Sequence, residues 1–203
     1  MPFIFLTVIF AAAPTAKADG LPGFRIELFD GRTGTVSVAS RDFAAPAVTR
    51  ADGRLRLVWH GHSRLGDGFT ATAEGVAKGD ATNWTFHCSG NASGLPIGRI
   101  AFPVVEVPCA EKGYLLYSPH AGGGTMGWKR LVNWKSLPSG RLVCSTLSPG
   151  FRFVAVLNGE SRDSHYLDVR DPKSNAGRFE VRKGAGGTVQ LPPLCSAGCH
   201  VMR

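Results

Sequence analysis

The chain has 203 residues, with 23 Lys and Arg against 15 Asp and Glu, for a formal net charge of +8. The basic side chains are scattered singly among apolar ones, as in Arg54-Leu55-Arg56-Leu57, and no basic run is interleaved with aromatic residues. The charge therefore favours solvated strand faces, and nucleic acid is not a predicted partner. The length suits one domain with a sizeable core.

The first 18 residues have the features of a secretory signal peptide. Residues 3–13 are an apolar run, and Ala16 and Ala18 fit the small-residue rule for signal cleavage. No Lys or Arg precedes the run, and the run is too short for a membrane-spanning helix. We therefore predict a signal peptide at 1–18, a secreted or periplasmic protein, and no membrane span.

Alternating apolar residues and turn signals begin directly after this segment. Residues 21–28 alternate, Asp30-Gly31 is a hairpin turn signal, and residues 35–40 follow as a second strand. Asp52-Gly53 marks another turn, after which Leu55, Leu57 and Trp59 alternate with polar neighbours. The pattern predicts a β-hairpin at the start of the fold and a further strand that ends near His60-Gly61-His62. Metal binding by those two imidazoles would need a third ligand, so an exposed strand end is the favoured interpretation.

The central part of the sequence predicts two strands with different burial. Trp84, Phe86 and Cys88 alternate with polar residues, which is typical of a strand with one face in the core. Residues 100–107 are apolar on both faces and should lie deep in a sheet. Pro103 removes one ladder donor in their middle, which predicts a β-bulge or a sheet-edge position there.

The remaining sequence continues as short strands without helical periodicity. Pro192-Pro193 ends regular structure in this interpretation, which gives a β-sandwich domain at 19–191 and a C-terminal tail at 192–203. Roughly ten to thirteen closely spaced strands predict an all-β fold, an antiparallel β-sandwich. The strands predicted after the central part are 114–117, 142–146, 151–157, 165–170, 179–182 and 189–191.

Five cysteines suit an oxidising compartment, and their odd number leaves at least one unpaired. Cys88 and Cys144 lie in apolar segments and are interpreted as small buried hydrophobes, and the disulfide pairing stays open. Cys195 and Cys199 precede His200 with one residue more than the C-x-x-C-H haem signature has. We therefore predict neither haem nor another cofactor nor a metal site, and a disulfide loop or free tail at this end.

Several short motifs resemble a known family. They are the I-x-F-P-V-V-x-V pattern of residues 100–107, the L-L-Y-S-P-H-A-G run of residues 115–122, and the segments 148–158 and 165–171. Over residues 55–181 the chain resembles the N-terminal β-sandwich of large secreted glycoside hydrolases, relatives of endo-α-N-acetylgalactosaminidases. That module is similar to galactose mutarotase, so the resemblance implies a supersandwich of two large sheets.

The resemblance also implies how catalysis would be divided. In those enzymes the catalytic carboxylates lie on a (β/α)8 barrel that follows the sandwich, so no catalytic residue is predicted here. A barrel needs about 250 residues, which predicts either a truncated enzyme or a sandwich that stands alone, with a catalytic barrel domain as a partner. The predicted function is that of a non-catalytic, carbohydrate-associated accessory or scaffold domain.

Sugar binding needs aromatic rings for stacking and polar side chains for the hydroxyl groups. The predicted partner is an oligo- or polysaccharide, and the predicted carbohydrate-binding residues are Trp59, His120, Trp128, Trp134, Tyr166, Asp168 and Arg170. Two alternatives stay open. One is a mutarotase-type sugar epimerase, for which the residues to compare are His60, His62, His120 and Glu106; the other is a haem- or metal-binding envelope protein.

Overall fold

The structure, a computed structural model, consists of two antiparallel β-sheets that are not closed into a barrel. This confirms the predicted all-β, antiparallel β-sandwich class. Within the described residues the only helix is a 3-10 turn, Ser40–Asp42, and none is long and apolar enough to cross a membrane. The structure describes residues 4–12, 21–31, 34–79, 81–109, 111, 113–117, 130–133, 141–145, 153–157, 165–169, 177–183, 187–190 and 193–196.

The larger sheet has nine strands. Their bounds are β1 Ile4–Ala12, β4 Ala47–Ala51, β5 Arg54–His62, β6 Gly66–Lys78, β7 Ala81–Ser89, β10 Tyr114–Tyr117, β11 Arg130–Asn133, β13 Phe153–Leu157 and β14 His165–Val169. The spatial order is β11-β10-β13-β14-β1-β7-β6-β5-β4. The strands β4 to β7 therefore form one half of this sheet, and β1 joins that half to β14.

The smaller sheet has eight strands. Their bounds are β2 Gly23–Asp30, β3 Gly34–Ala39, β8 Ile97–Val104, β9 Glu106–Pro108, β12 Arg141–Ser145, β15 Gly177–Lys183, β16 Thr188–Gln190 and β17 Pro193–Ser196. β8 is hydrogen-bonded to β17, and β9 is hydrogen-bonded to β16. The consecutive strands β8 and β9 therefore lie beside the consecutive strands β17 and β16. β15 pairs with β16, β17 and β12.

The local signals in the first half of the sequence correspond to the observed strands. β2 and β3 form the predicted hairpin, and Asp52 and Gly53 turn with φ values of 49° and 70° between β4 and β5. The left-handed conformation at both positions matches the tight hairpin turn that an Asp-Gly pair favours. At Pro103 the predicted irregularity is confirmed, because the register between β2 and β8 shifts across this residue. β8 is nevertheless an interior strand, paired with both β2 and β17.

Two segments carry strands where the sequence predicted other roles. β1 lies inside the predicted signal peptide and pairs antiparallel with β7 and β14. Strand pairing and export processing are separate properties, so the signal peptide at 1–18 stays a prediction. β17 lies inside the predicted tail at 192–203, so strand pairing continues to Ser196. Pro193 is the first residue of β17 and is in register with Phe179 of β15, and Leu194 to Ser196 are also in register with β8.

Aromatic side chains from both sheets form the centre of the sandwich. Phe24 of the smaller sheet lies 5.2 Å from Phe86 of the larger sheet, measured between ring centroids. Phe102 stacks on Phe86 at 4.8 Å and meets Trp84 edge-on at 6.1 Å. All four side chains are buried, at 6% exposure or less. Because each of these contacts joins one sheet to the other, the aromatic group holds the two layers face to face.

Removing one ring of this group should destabilise the protein strongly. We expect Phe102→Ala to lower the free energy of unfolding by about 3–5 kcal/mol, because it deletes a fully buried ring and leaves a cavity. The matched control is Phe29→Ala, since Phe29 is 58% exposed and should change stability by about 0.5 kcal/mol or less. Urea unfolding followed by circular dichroism measures both. Equal losses in the two variants would contradict the sheet-to-sheet packing.

Candidate functional site

Trp59 is the only predicted carbohydrate-binding residue whose side chain the structure describes. Its indole is 3% exposed and meets Phe24 edge-on, with ring centroids 5.0 Å apart and an interplanar angle of 84°. A ring enclosed in the core offers no free face to a sugar, so Trp59 serves as core packing. Its direct neighbour His60 is exposed on the other side of β5.

Two of the other six predicted residues lie on β14. Tyr166 and Asp168 are alternate positions of β14, where their backbones pair with β1 and β13. The remaining four lie outside the described residues, so their role in binding stays a prediction: His120, Trp128, Trp134 and Arg170.

A largely polar surface, interrupted by Val58 and Val76, lies opposite the core on three neighbouring strands. Leu57, Phe69 and Phe86 are buried, and strand alternation turns the intervening residues of β5, β6 and β7 outward. We name this surface the β5–β7 outer face. Its polar members are Arg54, Arg56, His60, Thr70, Thr72, Glu74, Asn83, Thr85, His87 and Ser89.

Backbone register arranges these side chains in rows across the strands. One row runs from Arg56 through Glu74 to Thr85, and the next but one from His60 through Thr70 to Ser89. Neighbouring strands lie about 4.8 Å apart, and alternate residues along a strand about 6.8 Å apart. The face therefore carries hydroxyl, imidazole and guanidinium groups at the spacing of a regular grid.

The charges on this face are exposed to solvent. Arg56 Nε lies 3.2 Å from Glu74 Oε1, and the two side chains are 56% and 52% exposed. An exposed ion pair of this kind contributes little to stability, about 1 kcal/mol or less. Arg56 and Glu74 can exchange their hydrogen bonds to each other for hydrogen bonds to water, so both side chains are available to a bound molecule.

His60 and His62 lie in different surroundings, although the sequence placed both imidazoles on one face of a strand. The register between β5 and β6 shifts between them, and the intervening Gly61 has φ of 59°. His62 packs on Phe43, with ring centroids 4.8 Å apart, and its Nδ1 accepts a hydrogen bond from the Arg64 backbone. His60 alone belongs to the β5–β7 outer face. Among the described residues no cluster of three or more His, Cys, Asp or Glu is placed to hold a metal ion.

An ion-pair cluster around the buried Glu180 lies on the eight-stranded sheet. Glu180 of β15 is 1% exposed, and its two carboxylate oxygens accept hydrogen bonds from Arg25 at 2.6 Å and Arg182 at 2.8 Å. In the strand order, β8 and β17 lie between β2 and β15, so the ion pair between Arg25 and Glu180 joins two strands that are not hydrogen-bonded neighbours. The Arg25 guanidinium also lies 3.5 Å from Glu27, which in turn meets Arg99 at 3.5 Å.

This arrangement keeps Glu180 ionised. Burial alone would raise the pKa of Glu180, but hydrogen bonds and charges from Arg182 and Arg25 outweigh it and hold that pKa below its usual value. A general acid needs a proton near neutral pH and a free oxygen aimed at substrate. Both carboxylate oxygens of Glu180 are occupied by guanidinium groups, so Glu180 does not fit the role of a general acid. Its ion pair with Arg25 instead joins β15 to β2.

Two described cysteines are buried thiols without a disulfide partner, Cys88 and Cys109. Burial raises the pKa of Cys88 from 9.0 to about 12 and that of Cys109 from 9.0 to about 11. The prediction that Cys88 is a small buried hydrophobe is confirmed. The side chain of Cys144 lies outside the described residues. Neither Cys88 nor Cys109 has the lowered pKa of a catalytic nucleophile.

Comparisons of the chain with family models, with curated proteins and with solved structures find no match. The resemblance to a galactose-mutarotase-like module therefore stays a prediction. The β5–β7 outer face is the surface that sequence reasoning missed. Its signal was present, because the same alternation that puts Leu57 and Trp59 in the core puts Arg56 and His60 outside.

The ion pairs of Glu180 and Glu74 predict that a Glu→Gln substitution lowers the free energy of unfolding more at Glu180 than at Glu74. We expect Glu180→Gln to lower the free energy of unfolding by about 2–3 kcal/mol, because Arg25 loses a buried counter-ion, whereas water screens the 42% exposed Arg182. The control Glu74→Gln, in an exposed pair, should cost less than about 1 kcal/mol.

The same pair of variants gives a pH test. The folded-state pKa of Glu180 is lowered, so its stabilisation is present above the unfolded value near 4.5 and is lost as pH falls through the folded value. The gap between wild type and Glu180→Gln should therefore shrink below pH 4.5 in urea titrations. A gap that is constant from neutral to strongly acidic pH would contradict the ion-pair assignment.

The raised thiol pKa values predict slow alkylation in the folded protein. Burial raises the pKa of Cys88 to about 12, so very little thiolate is present at pH 8 and Cys88 should react far more slowly than an exposed thiol. N-ethylmaleimide labelling and peptide mapping should find both thiols unmodified before denaturation and modified after it. Rapid labelling of Cys88 in the folded protein would place it outside the core. The protonated thiols stabilise the fold below pH 9.0, and that contribution is lost as pH rises.

Proposed function

We propose that this chain is an exported, non-catalytic carbohydrate-associated domain that binds an oligo- or polysaccharide on the β5–β7 outer face. The observation that carries the proposal is the combination of a polar face and a self-contained apolar core. Both sheets contribute to one buried cluster, and the polar face lies on the opposite side of β5–β7 from this core. Hydroxyl, imidazole and guanidinium groups are the side chains that hydrogen-bond sugar hydroxyls.

The charge of the face favours a sugar that carries acidic groups. The surface includes the guanidinium groups of Arg54 and Arg56 against a single carboxylate, Glu74. The chain as a whole has a net charge of +8. A basic surface raises the local concentration of an anionic polymer and speeds encounter, in a way that depends on salt. We therefore propose that uronate-containing or sulfated polysaccharides bind better than neutral ones.

The proposed role is that of an accessory or scaffold for catalysis located elsewhere. Glu180, the most buried carboxylate of the described residues, is neutralised by two arginines, which suits a structural role. The motifs that resemble the sandwich module of secreted glycoside hydrolases support the same role, with a barrel domain as the catalytic partner. In this account the sandwich holds polysaccharide near a neighbouring active site.

Binding should be weak and should depend on this face. We expect a dissociation constant between about 0.1 and 1 mM, since an open sheet offers few buried anchors and 1 mM corresponds to only about 4 kcal/mol. The double variant Arg56→Ala/His60→Ala should weaken binding at least tenfold, at about 1 kcal/mol for each lost hydrogen bond. A glycan array followed by calorimetry with neutral and uronate oligosaccharides measures this.

The control is Phe29→Ala, because Phe29 is an exposed aromatic residue on the other sheet and should leave binding unchanged. Absence of binding to every glycan, or binding that Arg56→Ala/His60→Ala leaves intact, would contradict the proposal. Conversion of one sugar anomer into the other by the purified protein, lost in Glu106→Gln, would instead establish the epimerase alternative.

A further inference from the structure

Strand β1 is held by backbone pairing on both of its edges. Eight of its residues, from Ile4 to Ala11, are in register with β7, and five, from Val8 to Ala12, are in register with β14. Both pairings are antiparallel. In the strand order β1 lies between β14 and β7, and it alone separates these two strands. We name this gap, bounded by β7 and β14, the β1 slot.

The sequence of β1 suits an interior position. It reads IFLTVIFAA, with no charge and with Thr7 as its only polar residue. Continuous apolar runs are typical of strands enclosed in a sheet. The edge strand β4 differs, because all five of its residues are exposed and it carries Arg50. The β1 slot therefore fits an extended, uncharged segment without proline.

The slot depends on an occupant. In the described residues β7 pairs with β6 and β1, and β14 pairs with β13 and β1. An empty slot would leave the facing N–H and C=O groups of β7 and β14 without strand partners, in the middle of the nine-stranded sheet. Backbone pairing on two edges is the mode by which donated strands complete other sheets.

The segment that links β1 to β2 along the chain takes no part in the pairing of β1 with β7 and β14. β1 ends at Ala12 and β2 begins at Gly23, and the intervening sequence contains Ala16 and Ala18, where a small-residue cleavage motif lies. A cut there breaks neither of the two ladders. We propose that the β1 slot is a strand-binding site that holds Ile4–Ala12 through backbone hydrogen bonds, so that this segment stays bound after the chain is cut between β1 and β2.

This proposal does not rest on the proposed carbohydrate binding. It concerns the folded full-length chain, in which the segment has already entered the sheet. The partner class is an extended apolar strand, and the occupant is the chain's own N-terminal segment. The proposal applies to a chain that folds before it is cut between β1 and β2.

The test cuts the folded full-length protein. A recognition site for a sequence-specific protease is inserted after Ala16, the protein is folded intact, and the chain is then cut. We expect the short fragment to co-elute with the remainder in size-exclusion chromatography and to appear with it in native mass spectrometry. Hydrogen exchange at the amides of β7 that face β1 should stay slow after the cut.

Proline substitution distinguishes ladder binding from unspecific adhesion. Thr7→Pro removes one ladder donor opposite Thr85 and should lower the retained fraction about tenfold, whereas Ala16→Pro lies outside β1 and should not. If Thr7→Pro fails to fold, isotope-labelled peptide 1–16 is added to the cut wild type, where it should exchange into the complex. Loss of the fragment from wild type after the cut, or equal retention of the fragment in wild type and in the Thr7→Pro variant, would overturn the proposal.

Discussion

The contact between the two sheets through Phe24, Phe86 and Phe102 is the constraint on which the rest of the structure depends. The rings lie 5.2 Å and 4.8 Å apart between centroids and are almost completely buried. A shift of one residue in strand register would turn every one of these rings to the opposite face of its sheet. The packing of the rings therefore fixes which side of each strand faces solvent, and through this it determines the surface available to a ligand.

Charge is distributed in two ways over the two sheets. On the eight-stranded sheet, Arg25 and Arg182 both pair with the buried Glu180, which joins β2 to β15. On the nine-stranded sheet, Arg56 and His60 stay exposed beside threonine and serine hydroxyls. Because buried pairs resist exchange with water and exposed pairs do not, only the second surface is suited to reversible recognition of a polar ligand.

Strand alternation and turn residues predicted much of the fold. The features that were not predicted depend on contacts between residues far apart in the sequence. The alternation of Trp84, Phe86 and Cys88 and the Asp52-Gly53 turn are local signals, and the structure confirms both. Trp59 follows the same rule, since its alternation with polar neighbours indicates the core, although its aromatic chemistry suggested a sugar platform. The Glu180 cluster could not be predicted, because Arg25 and Glu180 are separated by 155 positions and meet only through sheet order. An apolar run such as β1 fits both a targeting segment and an interior strand, and sequence alone does not separate the two.

The central claim is that alternation turns one side of β5–β7 into core and the other into a carbohydrate-binding face. Chemical-shift mapping by nuclear magnetic resonance during titration with an acidic oligosaccharide tests it most directly. The account predicts that perturbed signals concentrate at outward residues such as His60, Thr72 and Thr85, while the Trp59 indole signal in the core stays unchanged. Perturbations that cluster on the eight-stranded sheet around Phe29, or that follow Trp59 and its core neighbours, would contradict it.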